Sequence, residues 1–220
     1  MATASGPGKP TGGHDGARLD RAEAIVRHEF AQFQRVSSEG GRAACQDDWP
    51  TFHAMRLSQF LTWPAPLLDS YAEDLDAADA TGRNLLTEKY ARMMRSTEPE
   101  RFAREIAPTL PPLASARLAL QERIVAAQVA WAREFRDRYP RLGDAMRVLT
   151  TAEDTLVDTS FETYLRGELC TYSTRTLRLY GEMVDARAAA GDNLTELTVG
   201  LTVSLAGHAG LDQAEAAQHA

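Results

Sequence analysis

The chain has 220 residues, of which 44% are hydrophobic and 25% are charged, a composition typical of folded globular proteins. A domain of this size buries enough apolar surface to fold without disulfides or a structural metal. The formal net charge of −7 disfavours nucleic acids and anionic membranes as partners, because both attract basic surfaces.

The start of the chain and its cysteines bear on where the protein resides. Residues 1–18 are rich in Gly, Pro and Thr and lack the apolar segment of a signal peptide, so we predict a disordered leader. No apolar run approaches the roughly 20 residues of a membrane-spanning helix. Cys45 and Cys170 form no CxxC motif, which favours a reducing compartment. These features predict a cytoplasmic protein.

Periodic apolar residues predict four helices in the first half of the chain. The first begins at an N-cap, Asp20, and the second begins near Pro50, since proline is favoured in the first helical turn. The third ends at Gly82, and Asn84 caps the fourth. The residues expected to face the core include Ile25, Phe30, Phe33, Val36, Phe52, Met55, Phe60, Trp63, Leu67, Leu68, Tyr71, Leu75, Leu85, Leu86, Tyr90, Met93 and Met94.

A similar series of helices follows in the second half, after a short helix at 101–106. A long helix spans about 114–139 and stops before Pro140. Ser160 caps a stretch to about residue 190, either unbroken or interrupted near Tyr172, and Asn193 caps a last helix. No segment alternates strictly between polar and apolar residues, so we predict an all-α bundle of about seven to nine helices. It forms one domain at 19–206, followed by a loose tail at 207–220.

The halves 19–97 and 117–206 match each other in sequence. A shift of 109 positions aligns the pairs Phe52/Phe161, Gln59/Glu168, Trp63/Tyr172, Tyr71/Tyr180, Gly82/Gly191 and Asn84/Asn193. Upstream, a shift of 99 aligns Ile25 with Ile124 and Glu29 with Gln128. Duplication predicts two pseudo-symmetric four-helix repeats with a cleft between them, where a ligand could bind. The alternative is chance similarity between amphipathic helices with alike caps.

Several polar side chains lie on helix faces that are otherwise apolar. Glu29 follows Ile25 by four residues, and Lys89 follows Leu85 by four, so each points the same way as its apolar neighbour. Three further residues sit within apolar stripes: Arg56, Gln59 and Glu168. Burying an unpaired charge costs several kcal/mol, so these groups need partners.

Two interpretations of this polar set stay open. In the first, the protein is a metal-independent enzyme acting on a small polar or anionic metabolite, with Glu168 and Glu29 as catalytic residues. Glu168 is then the general base and Arg56 the anion clamp, and the other ligand-binding residues are Gln59, Lys89, Asp47, Asp48 and Tyr164, with the two aspartates at the pocket mouth. In the second, the chain is a non-catalytic ligand-binding, regulatory or protein-interaction module. A purely structural network is a third reading.

The other reactive residues have simpler roles. Asp48 could serve only as the N-cap of the second helix. We expect no metal and no cofactor, because no Glu-x-x-His pair lies on a helix as di-iron carboxylate bundles require. Cys45 lacks a neighbour that would activate its thiol, and Cys170 is predicted to be a core residue. Gly167 inside a helix predicts a close helix crossing or close approach of a ligand.

Three long motifs carry a family resemblance. They are GGRAACQDDWPTFHAMRLSQFLTW at 40–63, GRNLLTEKYARMM at 82–94 and DTSFETYLRGELCTYS at 158–173. These motifs are similar to the bacterial family catalogued as domain of unknown function 4125, and the similarity extends over about 22–206. The resemblance implies a helical domain, either alone or fused to others, and it implies no particular reaction.

Overall fold

The computed structural model describes residues 12–37 and 44–218, with side chains from residue 16 to 37 and from 46 to 218. These residues form eleven α-helices and contain no strand. The helices are α1 (Gly12–Gln34), α2 (Trp49–Phe60), α3 (Ala65–Ala80), α4 (Leu85–Thr97), α5 (Pro99–Arg101), α6 (Ser115–Arg138), α7 (Pro140–Asp144), α8 (Phe161–Leu169), α9 (Thr174–Ala190), α10 (Leu194–Leu205) and α11 (Leu211–Ala217). A π-helical turn at Phe102–Ile106 and 3-10 turns at Ala44–Asp47, Ala107–Thr109 and Thr151–Glu153 complete the regular structure.

The all-α class is confirmed, but the prediction of seven to nine helices is wrong. Pro140 starts the short extra helix α7, because proline fits the first turn of a helix. The stretch after Ser160 is divided into α8 and α9, since the Ser173 side chain accepts a hydrogen bond from the Thr176 amide and caps a new helix. Helix α11 lies in the segment that we predicted to be a loose tail, and α1 begins before Asp20.

The predicted N-caps of α4, α8 and α10 are present, whereas Asp20 lies inside α1 and does not cap it. Asn84, Ser160 and Asn193 each accept a hydrogen bond from a backbone amide in the first turn of α4, α8 and α10. Two glycines with φ of 70° and 75°, in the left-handed region, follow α3 and α9, respectively Gly82 and Gly191. Local sequence therefore determines where these helices begin and end.

Two sets of helices pack around one core. Helix α1 contacts α2, α3 and α4, while α6 contacts α8, α9 and α10. Three pairs join the sets: α3 with α9, α4 with α8, and α2 with α10. Aromatic rings fill the centre, where the Trp63 ring lies 5.7 Å from that of Tyr71 and 5.3 Å from that of Tyr180. These residues come from both sets, so the core is shared between them.

Matching contacts tie the cap residues of α4 and α10 to the long helices. The side-chain amide of Asn84 donates to the Gln32 carbonyl at 2.8 Å, and that of Asn193 donates to the Trp131 carbonyl at 2.9 Å. Both acceptors lie near the C-terminal halves of their helices, α1 and α6. The same anchoring contact thus occurs once in each set of helices.

One predicted core residue of α2 lies on the surface. Met55, which we predicted to face the core, is 56% exposed, because α2 turns its Leu57 and Phe60 side inwards.

In the described part of the chain, no helix combines the length and apolar character needed to cross a bilayer. The cytoplasmic location stays a prediction.

Candidate functional site

Five of the predicted site residues meet in one place, which we name the ionic cluster. Its members are Glu29 of α1, Arg56 and Gln59 of α2, Lys89 of α4 and Glu168 of α8. Each stands on the inner face of its helix, as the four-residue spacing from apolar neighbours predicts. Four helices therefore converge on the cluster, two charges of each sign cancel, and the group is neutral.

Arg56 lies at the centre of the ionic cluster. Its Nε and Nη2 each donate to a different oxygen of Glu29 at 2.6 Å, in a bidentate pair. Nη1 donates to the Gln59 amide oxygen at 2.6 Å and to Glu168 at 3.2 Å, while Nη2 also reaches Glu168 at 3.1 Å. A guanidinium has five N–H donors, and these five contacts use all of them. No donor is left to clamp an anionic ligand.

Glu168 is equally saturated. Besides Arg56, its carboxylate accepts from Lys89 Nζ at 2.6 Å, from the Tyr172 hydroxyl at 2.8 Å and from Gln59 Nε2 at 3.2 Å. Burial opposes ionisation of this group, but the charges of Arg56 and Lys89 outweigh it and hold the pKa of Glu168 well below its usual range. A general base needs a raised pKa, so the geometry does not favour that role for Glu168.

Two buried tyrosines each donate a hydrogen bond to one carboxylate of the ionic cluster. The Tyr71 hydroxyl donates to Glu29 at 2.6 Å, as that of Tyr172 does to Glu168. Burial raises the pKa of both phenols, and the carboxylate beside each raises it further, so both stay protonated donors. The side chains of Glu29 and Lys89 are only 1% and 3% exposed. Water therefore has little access to the charges.

Tyr164 of α8 borders the ionic cluster and lies between two cations. Lys89 Nζ is 3.6 Å from its ring centroid, and Arg147 Cζ is 4.6 Å from it. Burial raises the pKa of Tyr164, but the charge of Lys89 and a 3.5 Å contact with the Tyr90 hydroxyl outweigh it, and the net pKa is lowered. Among Tyr71, Tyr164, Tyr172 and Tyr180, Tyr164 is the one whose pKa is lowered.

A cavity of about 150 Å³ adjoins the ionic cluster, and we name it the interhelical cavity. Its wall includes Gln59, Trp63, Gln128, Tyr164, Glu168 and Thr198, which come from both sets of helices. The indole Nε1 of Trp63 is buried in this wall and has no hydrogen-bond partner. A buried, unpaired donor costs about 1–3 kcal/mol. A molecule with a hydrogen-bond acceptor beside this donor would remove that cost.

The two predicted aspartates lie elsewhere. Asp48 is exposed and accepts a hydrogen bond from the Thr51 amide at 3.1 Å, which makes it the N-cap of α2 and lowers its pKa. Asp47 is also exposed, and neither residue lines the interhelical cavity. The prediction that they stand at the pocket mouth is not supported, because the lining residues nearest to them in the chain, Gln59 to Trp63, lie at and just after the C-terminal end of α2.

Sequence reasoning missed the part that Trp63 and Tyr71 play at this site, since both were predicted only as core residues. The signal was present in the aligned halves, where Trp63 falls on Tyr172 and Tyr71 on Tyr180. Aromatic residues with a polar atom usually bond it when they are buried. A buried tryptophan beside predicted charges therefore indicates either a partner or an unpaired donor.

The described side chains contain no group of three or more His, Cys, Asp and Glu residues that could hold a metal ion. The thiol of Cys170 is half-buried and bonds the amide of Gln121, and burial raises its pKa. Such a thiol is a weak nucleophile. The side chain of Cys45 lies outside the described residues.

Comparison with known proteins gives one match. A family model described as "Protein of unknown function (DUF4125)" matches residues 21–216. No curated protein and no solved structure matches the chain.

Proposed function

We propose that this chain, which belongs to the family of proteins of unknown function DUF4125, is a small-molecule-binding protein whose ligand occupies the interhelical cavity. One observation carries the proposal: the Trp63 indole N–H lies unpaired in the cavity wall. A ligand that accepts this hydrogen bond removes the cost of the buried donor. The ligand is therefore recognised by an unsatisfied group, as polar ligands generally are.

The size and lining of the cavity restrict the ligand. About 150 Å³ accommodates a molecule no larger than a single ring of six atoms with a substituent. Gln59, Gln128 and Thr198 offer further polar contacts, whereas the neighbouring charges of Arg56, Lys89 and Glu168 are already neutralised. A small, polar, neutral metabolite with at least one acceptor fits this wall better than an anion does.

In this proposal the ionic cluster is structural. The donors of Arg56 and both carboxylates are engaged within the protein, so the cluster orients the cavity wall and joins α1, α2, α4 and α8 without contributing to chemistry. Breaking a buried ion pair by removal of one partner is strongly destabilising, typically by 3–5 kcal/mol. The cluster would hold the cavity in one shape, and the non-catalytic interpretation of the sequence is the one we retain.

We further infer that the two sets of helices are repeats related by a pseudo-two-fold axis, with the cavity between them. The paired anchors of Asn84 and Asn193 support this inference. The contacts between the two sets also support it. Such an axis exchanges α2 with α8 and α4 with α10, so it turns the contact between α4 and α8 into the contact between α10 and α2. The hydroxyl of Tyr71 donates to Glu29. In the other half, the aligned residues Tyr180 and Gln128 make the corresponding contact, in which the Gln128 amide donates to the Tyr180 hydroxyl at 3.0 Å. The repeat thus places one charged and one neutral version of the same contact at the core.

The test is a thermal-stability screen of the full chain against small polar metabolites, repeated with Trp63→Phe. This substitution removes the N–H donor and keeps an aromatic ring. A matched control is Trp49→Phe, which changes a tryptophan that does not line the cavity. We expect some metabolite to stabilise the wild type and the control in a saturable way. It should bind Trp63→Phe roughly tenfold more weakly, because one hydrogen bond from a buried donor is lost.

Equal binding to Trp63→Phe and wild type would overturn this proposal. If no compound stabilises the wild type, the cavity is filled by water that bonds the indole, and a structural role replaces the binding role.

A second candidate is an enzyme in which Tyr164 exchanges a proton with the same ligand. The observation that favours it is the lowered pKa of a tyrosine that lines the interhelical cavity beside Lys89. A phenol whose pKa approaches the working pH is an effective acid or base. Titration of phenolate absorbance in wild type and in Tyr164→Phe measures the pKa of Tyr164. Loss of the earliest phenolate transition in the variant is expected, and an unchanged titration would exclude this candidate.

A further inference from the structure

A second and larger opening lies on the other side of α8 from the interhelical cavity. It measures about 1000 Å³ and runs between α4, α6, α8 and the segment 102–113. Arg92, Arg95 and Cys170 line it together with apolar residues such as Phe102, Leu113 and Leu118. We name it the arginine groove. Its volume is that of a pocket for a metabolite of ordinary drug size.

Three arginines in and beside the arginine groove have no acidic partner among the residues described. Arg92 Nη2 donates only to the Pro111 carbonyl at 2.6 Å, and Arg117 Nη2 donates only to the Leu169 carbonyl at 2.6 Å. The Nε atoms of both are buried and have no hydrogen-bond partner. Arg95 is exposed and forms no ion pair in the described chain. By contrast, Arg166 on the same wall is paired with Glu122 and Glu162.

These unpaired cations lie close enough to affect one another. Burial lowers the pKa of Arg117, and the positive charge of Arg92 lowers it further. Burial raises the pKa of the Cys170 thiol, although the charges of Arg92 and Arg117 act in the opposite direction. Like charges without a counter-ion repel each other and retain unsatisfied donors. An anion in the groove would offset the repulsion between these charges.

We propose that the arginine groove binds a small anionic amphiphile, with a carboxylate or phosphate head on Arg92 and Arg95 and an apolar body against Phe102, Leu113 and Leu118. The guanidinium fork is well suited to either head group, because both present paired oxygens. The apolar wall formed by the segment 102–113 then covers the rest of the molecule. This site is separate from the interhelical cavity and does not depend on the function proposed for it.

The probe is anilinonaphthalene sulfonate, an anionic aromatic whose fluorescence rises in apolar surroundings, titrated into the full chain. Decanoate and decanol serve as competitors of equal length that differ in charge. We expect decanoate to displace the probe at least tenfold more effectively than decanol, since only the acid satisfies the guanidiniums. Arg92→Met should weaken binding of the probe by a similar factor. The control Arg178→Met, at an exposed arginine paired with Glu182, should leave its binding unchanged.

Location is tested by alkylation of Cys170 with N-ethylmaleimide, followed by mass spectrometry of the native chain. Decanoate should slow modification of Cys170 severalfold, because the thiol lines the groove. If Arg92→Met fails to fold, Arg95→Gln at the exposed position supplies the same comparison. Equal competition by decanoate and decanol, unchanged probe affinity in the variant, or no probe binding at all would each overturn the proposal.

Discussion

The ionic cluster and the arginine groove each contain one basic residue of α4. These residues, Lys89 and Arg92, are three positions apart but differ in their partners. Lys89 faces inwards, where its Nζ lies 2.6 Å from the Glu168 carboxylate and 3.6 Å from the Tyr164 ring centroid. Arg92 faces the groove, where its Nε is buried without a partner. One helix thus carries an ion-paired cation and, about one turn later, a cation without a counter-ion.

The difference shows how a structural charge can be told from a binding charge. Burial alone does not separate them, since polar atoms of Lys89 and of Arg92 are both removed from solvent. The counter-ion is what differs, because Lys89 contacts the Glu168 carboxylate whereas Arg92 donates to the neutral Pro111 carbonyl. A saturated charge has nothing left to offer a ligand, whereas a charge that lacks its counter-ion gains free energy when a ligand supplies one. The predictions below test this distinction by stability measurements.

The largest effect is expected from Arg56→Met. The change leaves Glu29 buried against the Tyr71 hydroxyl with no counter-ion in contact, so we expect a loss of about 3–5 kcal/mol in the free energy of unfolding. Urea denaturation measures it. As a control, Arg178→Met removes one partner of an exposed ion pair and should cost less than about 1 kcal/mol. Similar small costs for both variants would show that the cluster does not hold the helices together.

Glu168→Gln should cost about 3 kcal/mol at neutral pH, because Lys89 then has no carboxylate in contact and Arg56 keeps only that of Glu29. The effect should depend on pH with a definite sign. The folded-state pKa of Glu168 is lowered, so its stabilisation is fully present above the unfolded value of about 4.3 and is lost as pH falls through the folded value. Wild type should therefore lose stability on acidification below about pH 5 more steeply than the variant. Parallel acid profiles would contradict this account of Glu168.

Gly167→Ala tests the helix crossing that lies between the two sites. An added Cβ would stand 2.8 Å from Met93 Cγ and 3.0 Å from the Lys89 carbonyl oxygen. Overpacking costs about 1–3 kcal/mol, and the gain in helix propensity offsets about 1 kcal/mol of it. We expect a net loss of about 1 kcal/mol by thermal unfolding. Gly200→Ala, with no atom within 4 Å of the added Cβ, should instead gain up to about 1 kcal/mol. A gain at both positions would mean that α4 and α8 can separate slightly.

The smallest effect is expected from Arg92→Met without ligand. Its side chain loses one hydrogen bond to Pro111 but also removes an unsatisfied buried N–H, so stability should stay within about 1 kcal/mol of wild type. Chemical denaturation beside Arg56→Met gives the direct comparison. A loss as large as that of Arg56→Met would assign Arg92 to the structural class and remove the distinction between the two regions.

The sequence determined many of the residues that are buried, though not the exposed Met55, and to a large extent where the helices begin and end. Asn84, Ser160 and Asn193 act as caps because capping is decided by residues within one helical turn. In the same way, the four-residue spacing of Glu29 from Ile25 is enough to turn its carboxylate inwards. The predicted membership of the cluster rests on such short-range facts. The extra helices α7 and α11 were missed because short helices depend on tertiary packing more than on periodicity.

Only the tertiary structure decided what the buried charges do. Arg56 and Glu168 are 112 residues apart, and their contact depends on how α2 and α8 cross, which no local pattern specifies. Helix crossing also set the number of hydrogen bonds on each carboxylate, and with it the lowered pKa of Glu168. The unpaired N–H of Trp63 and the uncompensated charge of Arg92 are likewise properties of the spaces between helices. A side chain's direction is a local property of its helix, whereas its partners depend on distances between helices distant in the chain.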